Sequence, residues 1–280
     1  MNKKSLFFII ILVALVSIFA VSCSKEKAKT YSDGEYFAIE DEFPASGWKE
    51  FVALSVKGGK IVKVDWGGVN RNGDDKKAYD KAGNYNMVKF GGAIGEWWEQ
   101  AEKVEQHLIK TQDPAKIKYS NNDGNTDEIS GVTISVNEFF TLADKALKAG
   151  PVKPGTYKDG GYYAIEAEFP SSGWKAYVSL LVKNGNIVEV YWSGLNDKGE
   201  DKKDYDKAGN YNMAKFGGAI ADWWVQAERV EQHLLKSQDP AKIKYSNNDG
   251  NTDEISGVTI TVDDFFNLAN QALKQGPKSN

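Results

Sequence analysis

QDPAKIKYSNNDGNTDEISGVTI fills residues 112–134 and returns, letter for letter, at residues 238–260. The chain on either side of this block is repeated as well. Residues 31–151 align with 157–277 at a constant offset of 126 with no gap, and 33 of the 121 aligned positions differ. None of the 33 lies inside the block. A recent duplication accounts for high identity, but not for differences that avoid one stretch. A site has to keep its chemistry where a scaffold can drift, so the block is the first place to look for function. With 280 residues and one long period used twice, the chain reads as a tandem pair of domains rather than a solenoid. Each copy is long enough for its own core.

Outward from the block, each copy opens with strands. Residues 36–43 are rich in aromatic and branched side chains. Residues 48–56 alternate, with Val52, Leu54 and Val56 on one face. Gly58-Gly59, and Asn184-Gly185 in the second copy, mark a hairpin turn because both positions tolerate positive φ. Residues 61–66 return with Val62, Val64 and Trp66 on one face. Residues 70–77 read as a polar loop, and YDKAGNYNM at 79–87 (unchanged at 205–213) as irregular backbone. Helical periodicity begins at 94–110, where Trp97, Trp98, Ala101, Val104 and Leu108 form an apolar stripe with Glu and Gln opposite. Asp113-Pro114 stops it.

After the block a second helix is expected from about 136 to 148. Ser135 and Glu138 fit a capping box, and Phe139, Phe140, Ala143, Ala146 and Leu147 make the buried stripe. The fold class is α+β: two tandem copies of a small antiparallel sheet packed with helices. The domains are 31–150 and 157–276, joined by a linker at 151–156 that two prolines stiffen.

The amino terminus has a separate task. A short basic region at 1–4 precedes the apolar run LFFIIILVALVSIFA at 6–20, then Ser22, Cys23 and the charged run SKEKAK. That is the plan of a secretory signal, and the run is marginally short for a spanning helix. Ala20-Val21-Ser22-Cys23 resembles a bacterial lipoprotein signal, with Ala20 departing from the usual Leu. The resemblance implies cleavage after residue 22, acylation of Cys23 (palmitate or similar chains) and a firm membrane anchor. Residues 23–30 become the lipidated tether. An uncleaved anchor is the alternative, and both place the domains outside the cytoplasm, on the cell surface or a periplasmic face.

Composition narrows the rest. Cys23 is the single cysteine, so no internal disulfide forms. The formal charge of -4 becomes about -6 once Lys3 and Lys4 leave with the signal. No basic face is evident, which argues against nucleic acid. His107 and His233 lie at matched places beside the helix stripe and read as structural. No candidate nucleophile has a base within its motif, which argues against a hydrolase.

Within the block, Ser130-Gly131-Val132-Thr133 lies just before a helix start, where unpaired N–H groups and the helix dipole suit a phosphate. Gly131 permits close backbone approach and Thr133 offers a hydroxyl. An ordinary capped turn is the competing reading. The oxygen-rich residues 121–128 around Gly124 raise the question of calcium, but an EF-hand register would put Tyr119 at the first ligand position. A plain turn is the better reading there.

Asp127-Glu128-Ile129-Ser130-Gly131-Val132-Thr133 followed by an amphipathic helix resembles the closing motif of the FMN-binding domain family. That family includes the flavin subunits of the sodium-pumping NADH:quinone reductase and of the Rnf complex. Its usual form is Asp-x-x-Ser-Gly-Ala-Thr, with the last Thr carrying FMN through a phosphoester. Asp253, Ser256, Gly257 and Thr259 repeat the match. Asp33-Gly34 and the Lys60-Ile61-Val62 strand start are also similar to it, and the resemblance covers nearly all of both repeats. Two such domains on one lipid anchor look like the flavinylated lipoproteins of extracellular electron transfer.

The resemblance implies FMN on Thr133 and Thr259, a flavin transferase as partner, an electron donor and acceptor still to be named, and electron transfer rather than stand-alone enzyme catalysis. One departure is Val132, with Val258, where the family has Ala; it adds two methyls at a tight turn beside the acceptor. The tryptophans, Tyr85, Asn86, Tyr211 and Asn212 are further candidates to line the flavin. The alternative from a different class is a non-redox surface lipoprotein that binds a ligand or partner with the same fold.

Overall fold

The computed structural model describes residues 29–278. The expected signal peptide and the expected lipidation of Cys23 lie outside the described residues, as does most of the expected tether. Repeat 1 contains β1 (Gly34–Ile39), β2 (Lys49–Lys57), β3 (Lys60–Val69), α1 (Lys76–Lys81), α2 (Met87–Gly91), α3 (Trp97–Thr111) and α4 (Asn137–Ala149). Repeat 2 contains β4 (Gly160–Ile165), β5 (Lys175–Lys183), β6 (Asn186–Leu195), α5 (Lys202–Lys207), α6 (Met213–Gly217), α7 (Trp223–Ser237) and α8 (Asp263–Gln275). The class is α+β, with each three-stranded antiparallel sheet ordered as in the chain.

The hairpin turns take the expected backbone: Gly58 and Gly59 have φ of 59° and 75°, Asn184 and Gly185 of 50° and 72°. A bulge after Ser55 and after Leu181 moves the register by one. The first strand ends at Ile39, short of the expected Phe43, because residues 41–47 turn before β2. The first long helix starts at Trp97 rather than at 94, where the Asp80 carboxylate on α1 accepts from Trp98 N at 2.8 Å. The stretch read as loop and irregular backbone holds two short helices, α1 and α2. The expected capping box at Ser135 and Glu138 does not form. The Ser135 hydroxyl bonds the Asp123 carbonyl and Asn137 Oδ1 instead, and α4 begins after Val136.

Helices α3 and α4 cover one face of the first sheet and bury Val52, Leu54, Ile61, Trp66, Val104, Leu108, Phe139 and Phe140 with their neighbours; α7 and α8 do the same in repeat 2. The long helix also seals the edge strand. Glu105 Oε1 accepts from Trp66 N at 2.6 Å, and the Gln112 amide bonds both the N–H and the carbonyl of Ile61. Edge groups that would otherwise invite another strand are thereby satisfied. Glu105 lies on the buried face rather than on the polar one, with Lys77 Nζ 2.5 Å away.

The other faces of the two sheets pack on each other. Phe51, Val69 and Leu181 are at most 1% exposed and are joined by Phe37, Ile39 and Val188. Ion pairs cross the seam: Lys49 with Glu189 at 2.8 Å, and Asp65 with Lys183 at 3.0 Å. Arg71 grips Asp204 with both guanidinium nitrogens and lies over the Tyr191 ring. The pairing is not reciprocal. The counterparts of Lys49 and Glu189 are Lys175 and Lys63; Lys175 turns to its own repeat, reaching the Ala167 carbonyl. Phe43 meets Tyr191 edge-on at 5.3 Å, while its counterpart Phe169 is half exposed.

Candidate functional site

The block folds as a loop that braces one turn. Asn121 Oδ1 accepts from the N–H groups of Asp123 and Asn125. Asn125 Nδ2 then donates to the carbonyl of Thr133 at 2.9 Å, and Thr126 Oγ1 donates to Lys118 O. The oxygen-rich loop thus spends these side chains on holding backbone. Gly131 sits at φ 75° and Gly257 at 77°, a left-handed conformation that favours glycine.

Gln100 is the centre of the arrangement. It lies on α3 at 0% exposure, and its Oε1 accepts from Thr133 N at 2.7 Å, from Ile134 N at 3.3 Å and from the Thr133 hydroxyl at 3.3 Å. Its Nε2 donates to the Gly95 carbonyl at 2.9 Å. Gln226 reproduces the three Oε1 distances in repeat 2 at 2.7, 3.3 and 3.3 Å. The N–H groups expected to cradle a phosphate at residues 133–134 are therefore already committed. What the turn leaves open is the exposed side chain of Thr133, with exposed Ser130 and Asp127 beside it in sequence; Asp253, Ser256 and Thr259 are exposed in the same way.

Two further features flank the turn. A cation leans on it: Lys103 Nζ donates to Gly131 O at 3.1 Å, and Arg229 Nη1 to Gly257 O at 2.5 Å. The residue differs but the charge is kept. Through Gln100 the turn is also tied to Gly95, which follows Phe90 and Ile94 in the chain. These are 76% and 67% exposed, and Phe216 and Ile220 in repeat 2 are 76% and 63% exposed. In repeat 2, Ser256 also borders a cleft of about 770 Å³ that reaches Tyr191 and the Phe43 turn of repeat 1.

Val132 and Val258 are 7% and 8% exposed and belong to the two cores. The extra methyls relative to Ala therefore point into the protein. Trp48, Trp66 and Trp97 are buried as core, and Trp98 is partly exposed beneath Lys81. Tyr85 packs on Trp48, and Asn86 takes a left-handed conformation before α2. His107 packs edge-on against Phe140, with burial lowering its pKa.

Sequence reasoning missed Gln100, Lys103 and the Phe90–Ile94 segment. The first had a visible signal: Gln100 stands three residues after Trp97, inside the apolar stripe, where a polar side chain needs a buried partner.

No known family profile matches this chain, and no curated protein matches it. Two solved structures are similar. A Clostridium thermocellum protein solved by NMR is 56% identical over 42% of this chain and 91% of its own, with a TM-score of 0.35. The crystal structure of the CPE2226 protein from Clostridium perfringens is 24% identical over 43% of this chain and 89% of its own, also with a TM-score of 0.35.

Proposed function

We propose that each repeat carries one FMN, attached through its phosphate to Thr133 and Thr259, and that the chain is a membrane-anchored electron-transfer protein outside the cytoplasm. The observation that carries this reading is the exposed threonine on a braced Ser-Gly-Val-Thr turn, built to the same distances twice. The residues present fit the group. The hydroxyl of an exposed threonine is a phosphoester acceptor, Lys103 or Arg229 is the neighbouring cation, and Phe90 and Ile94 are exposed apolar side chains that a planar ring could meet. With Val132 turned into the core, the departure from the family motif leaves the acceptor side of the turn clear.

Bound flavin supplies the redox chemistry. The chain's residues bind and orient: Gln100 would hold the threonine backbone N–H throughout and its hydroxyl only until the phosphoester replaces the hydroxyl hydrogen, Asn125 would hold its carbonyl, and the lysine or arginine would balance phosphate charge. No proton transfer by a side chain is required. A flavin transferase acts on the exposed turn, and Cys23 anchors the pair of domains to the membrane.

Intact mass and visible absorption of protein from its own cells, before and after denaturation, test this. The expected result is a gain of one or two FMN less water, with flavin absorbance surviving denaturation. Thr133→Ala and Thr259→Ala should each remove one increment. Colour lost on denaturation would replace the covalent bond with a dissociable one. No flavin from cells that hold the transferase would sink the electron carrier and leave the ligand-binding surface lipoprotein.

A further inference from the structure

The two repeats differ at one polar position inside an otherwise preserved aromatic frame. In repeat 1 the Glu50 carboxylate joins two donors: Trp66 Nε1 at 3.1 Å and Lys76 Nζ at 3.0 Å. In repeat 2 position 50 becomes Ala176, but both donors stay, as Trp192 and Lys202. Trp192 is 4% exposed, and its buried Nε1 has no hydrogen-bond partner among the described residues. A buried N–H of this kind is rare without an explanation.

The frame has not closed over the change. Trp192 lies 5.1 Å from Trp223 and 5.1 Å from Phe265, against 5.2 and 5.0 Å for the matching pairs in repeat 1. Lys202 Nζ stands 4.3 Å from the Trp223 ring centre, against 4.2 Å for Lys76 over Trp97. Trp174 and Tyr205 keep a separation of 5.3 Å, as do Trp48 and Tyr79. Access has changed: Lys76 and Trp48 are buried, while Lys202 and Trp174 are partly exposed.

We infer that repeat 2 holds a binding site for a short carboxylate, of the size of acetate or formate, between the ammonium of Lys202 and the indole N–H of Trp192. The Glu50 side chain is the template. Relative to alanine it adds one methylene and one carboxylate, which is the skeleton of acetate. The kept ring distances leave a charged donor and a neutral donor set as they are around the Glu50 oxygens in repeat 1. Glu166 does not take the part of Glu50: its Oε2 accepts from Ala176 N at 2.6 Å, just as Glu40 accepts from Glu50 N.

The local charge is mixed: Lys202 attracts an anion, and three nearby carboxylates oppose it. Burial pushes the Lys202 ammonium down to about 8, while Asp206 on its own helix, Asp264 on α8 and Glu166 beside β4 pull it upward. A bound anion favours the charged amine, so affinity should fall as pH rises through about 8. The site is independent of the flavin turn.

The test uses the indole N–H signals of the full chain labelled with ¹⁵N-tryptophan, titrated with sodium acetate against sodium chloride at equal ionic strength. One indole signal is expected to shift and saturate on the order of millimolar acetate, as a ligand of four heavy atoms allows. Ala176→Glu should abolish the shift by supplying the carboxylate internally. Lys202→Met should weaken binding at least tenfold, and Glu50→Ala should create a second responding signal, from Trp66. The proposal fails if no signal moves by about 100 mM acetate, if chloride moves the same signal equally, or if Ala176→Glu responds like the parent.

Discussion

The two faces of each sheet have had different histories. On the face toward the helices, the eight buried apolar positions of the first sheet, from Tyr36 to Trp66, are unchanged in the second. On the face toward the other repeat, nine strand positions differ, among them Phe51/Tyr177, Ser55/Leu181, Lys63/Glu189, Asp65/Tyr191 and Gly67/Ser193. A core packed at crystal-like density resists change at every position, and duplication leaves it alone. On the second face the copies differ in a complementary way: Lys49 meets Glu189, whose counterpart is Lys63, and Leu181, whose counterpart is Ser55, fills the seam. The lesson is that 33 differences are not scattered drift. A large share converts two copies of one domain into two unlike halves of an interface, which a two-fold pair of identical faces would not require.

The largest expected effect lies among the unchanged apolar positions of the helix-facing side. Phe139→Ala opens a cavity between α4 and Trp66 and should cost about 3–5 kcal/mol in repeat 1. Phe265→Ala should do the same in repeat 2. Guanidinium unfolding, followed by tryptophan fluorescence, should resolve the weakened repeat as an earlier transition. A loss below about 1 kcal/mol would mean that the identity of this face has some other cause than packing.

The seam should respond differently. Glu189→Lys places two ammonium groups where Lys49 and Glu189 now share two hydrogen bonds, both side chains being at most 10% exposed. Uncompensated buried charge costs about 3 kcal/mol or more. Because that cost falls on docking and not on either core, far-UV circular dichroism should hold while the radius of gyration from small-angle scattering rises. Loss of helical signal together with the expansion would show that repeat 2 needs repeat 1 to fold, and the two faces would then no longer be separable.

Much of this architecture is legible in the chain itself. Periodicity locates the hairpin, both long helices and their apolar stripes, because those signals are local. The turn is legible through Ser130, Gly131 and Thr133. The seam is not, because alternating polar and apolar residues on an outer strand face look the same whether they meet water or a second sheet. Comparing the copies position by position contains the signal, since the differences at Ser55, Lys63 and Asp65 all fall on one side of the strands. Helices α1 and α2 escape because six and five residues are too few to display a period. The role of Gln100 depends on a contact 33 residues away, which no window along the chain contains.

The smallest effect sharpens the comparison most, because it assigns a titration to one face of one repeat. Burial draws the Asp65 carboxyl upward, but Lys183 across the seam and Lys77 within the repeat outweigh it and hold the group at about 2 against an ordinary 3.8. A carboxyl whose folded value is depressed contributes stability that is present above its unfolded value and is lost as pH falls through the folded one. The window is therefore about pH 4 to 2. The shift corresponds to roughly 2 kcal/mol at most, and since about a third of the side chain is exposed, about 1 kcal/mol is the better expectation. Tyr191, its counterpart, does not titrate there. Unfolding measured at about pH 5 and about pH 2.5 should show the acid loss in the parent to exceed that in Asp65→Asn by roughly two thirds of this amount, with Lys183→Met intermediate because Lys77 remains. Equal losses in all three would place the acid response in the carboxylates the repeats share, and the seam would then carry no titration of its own.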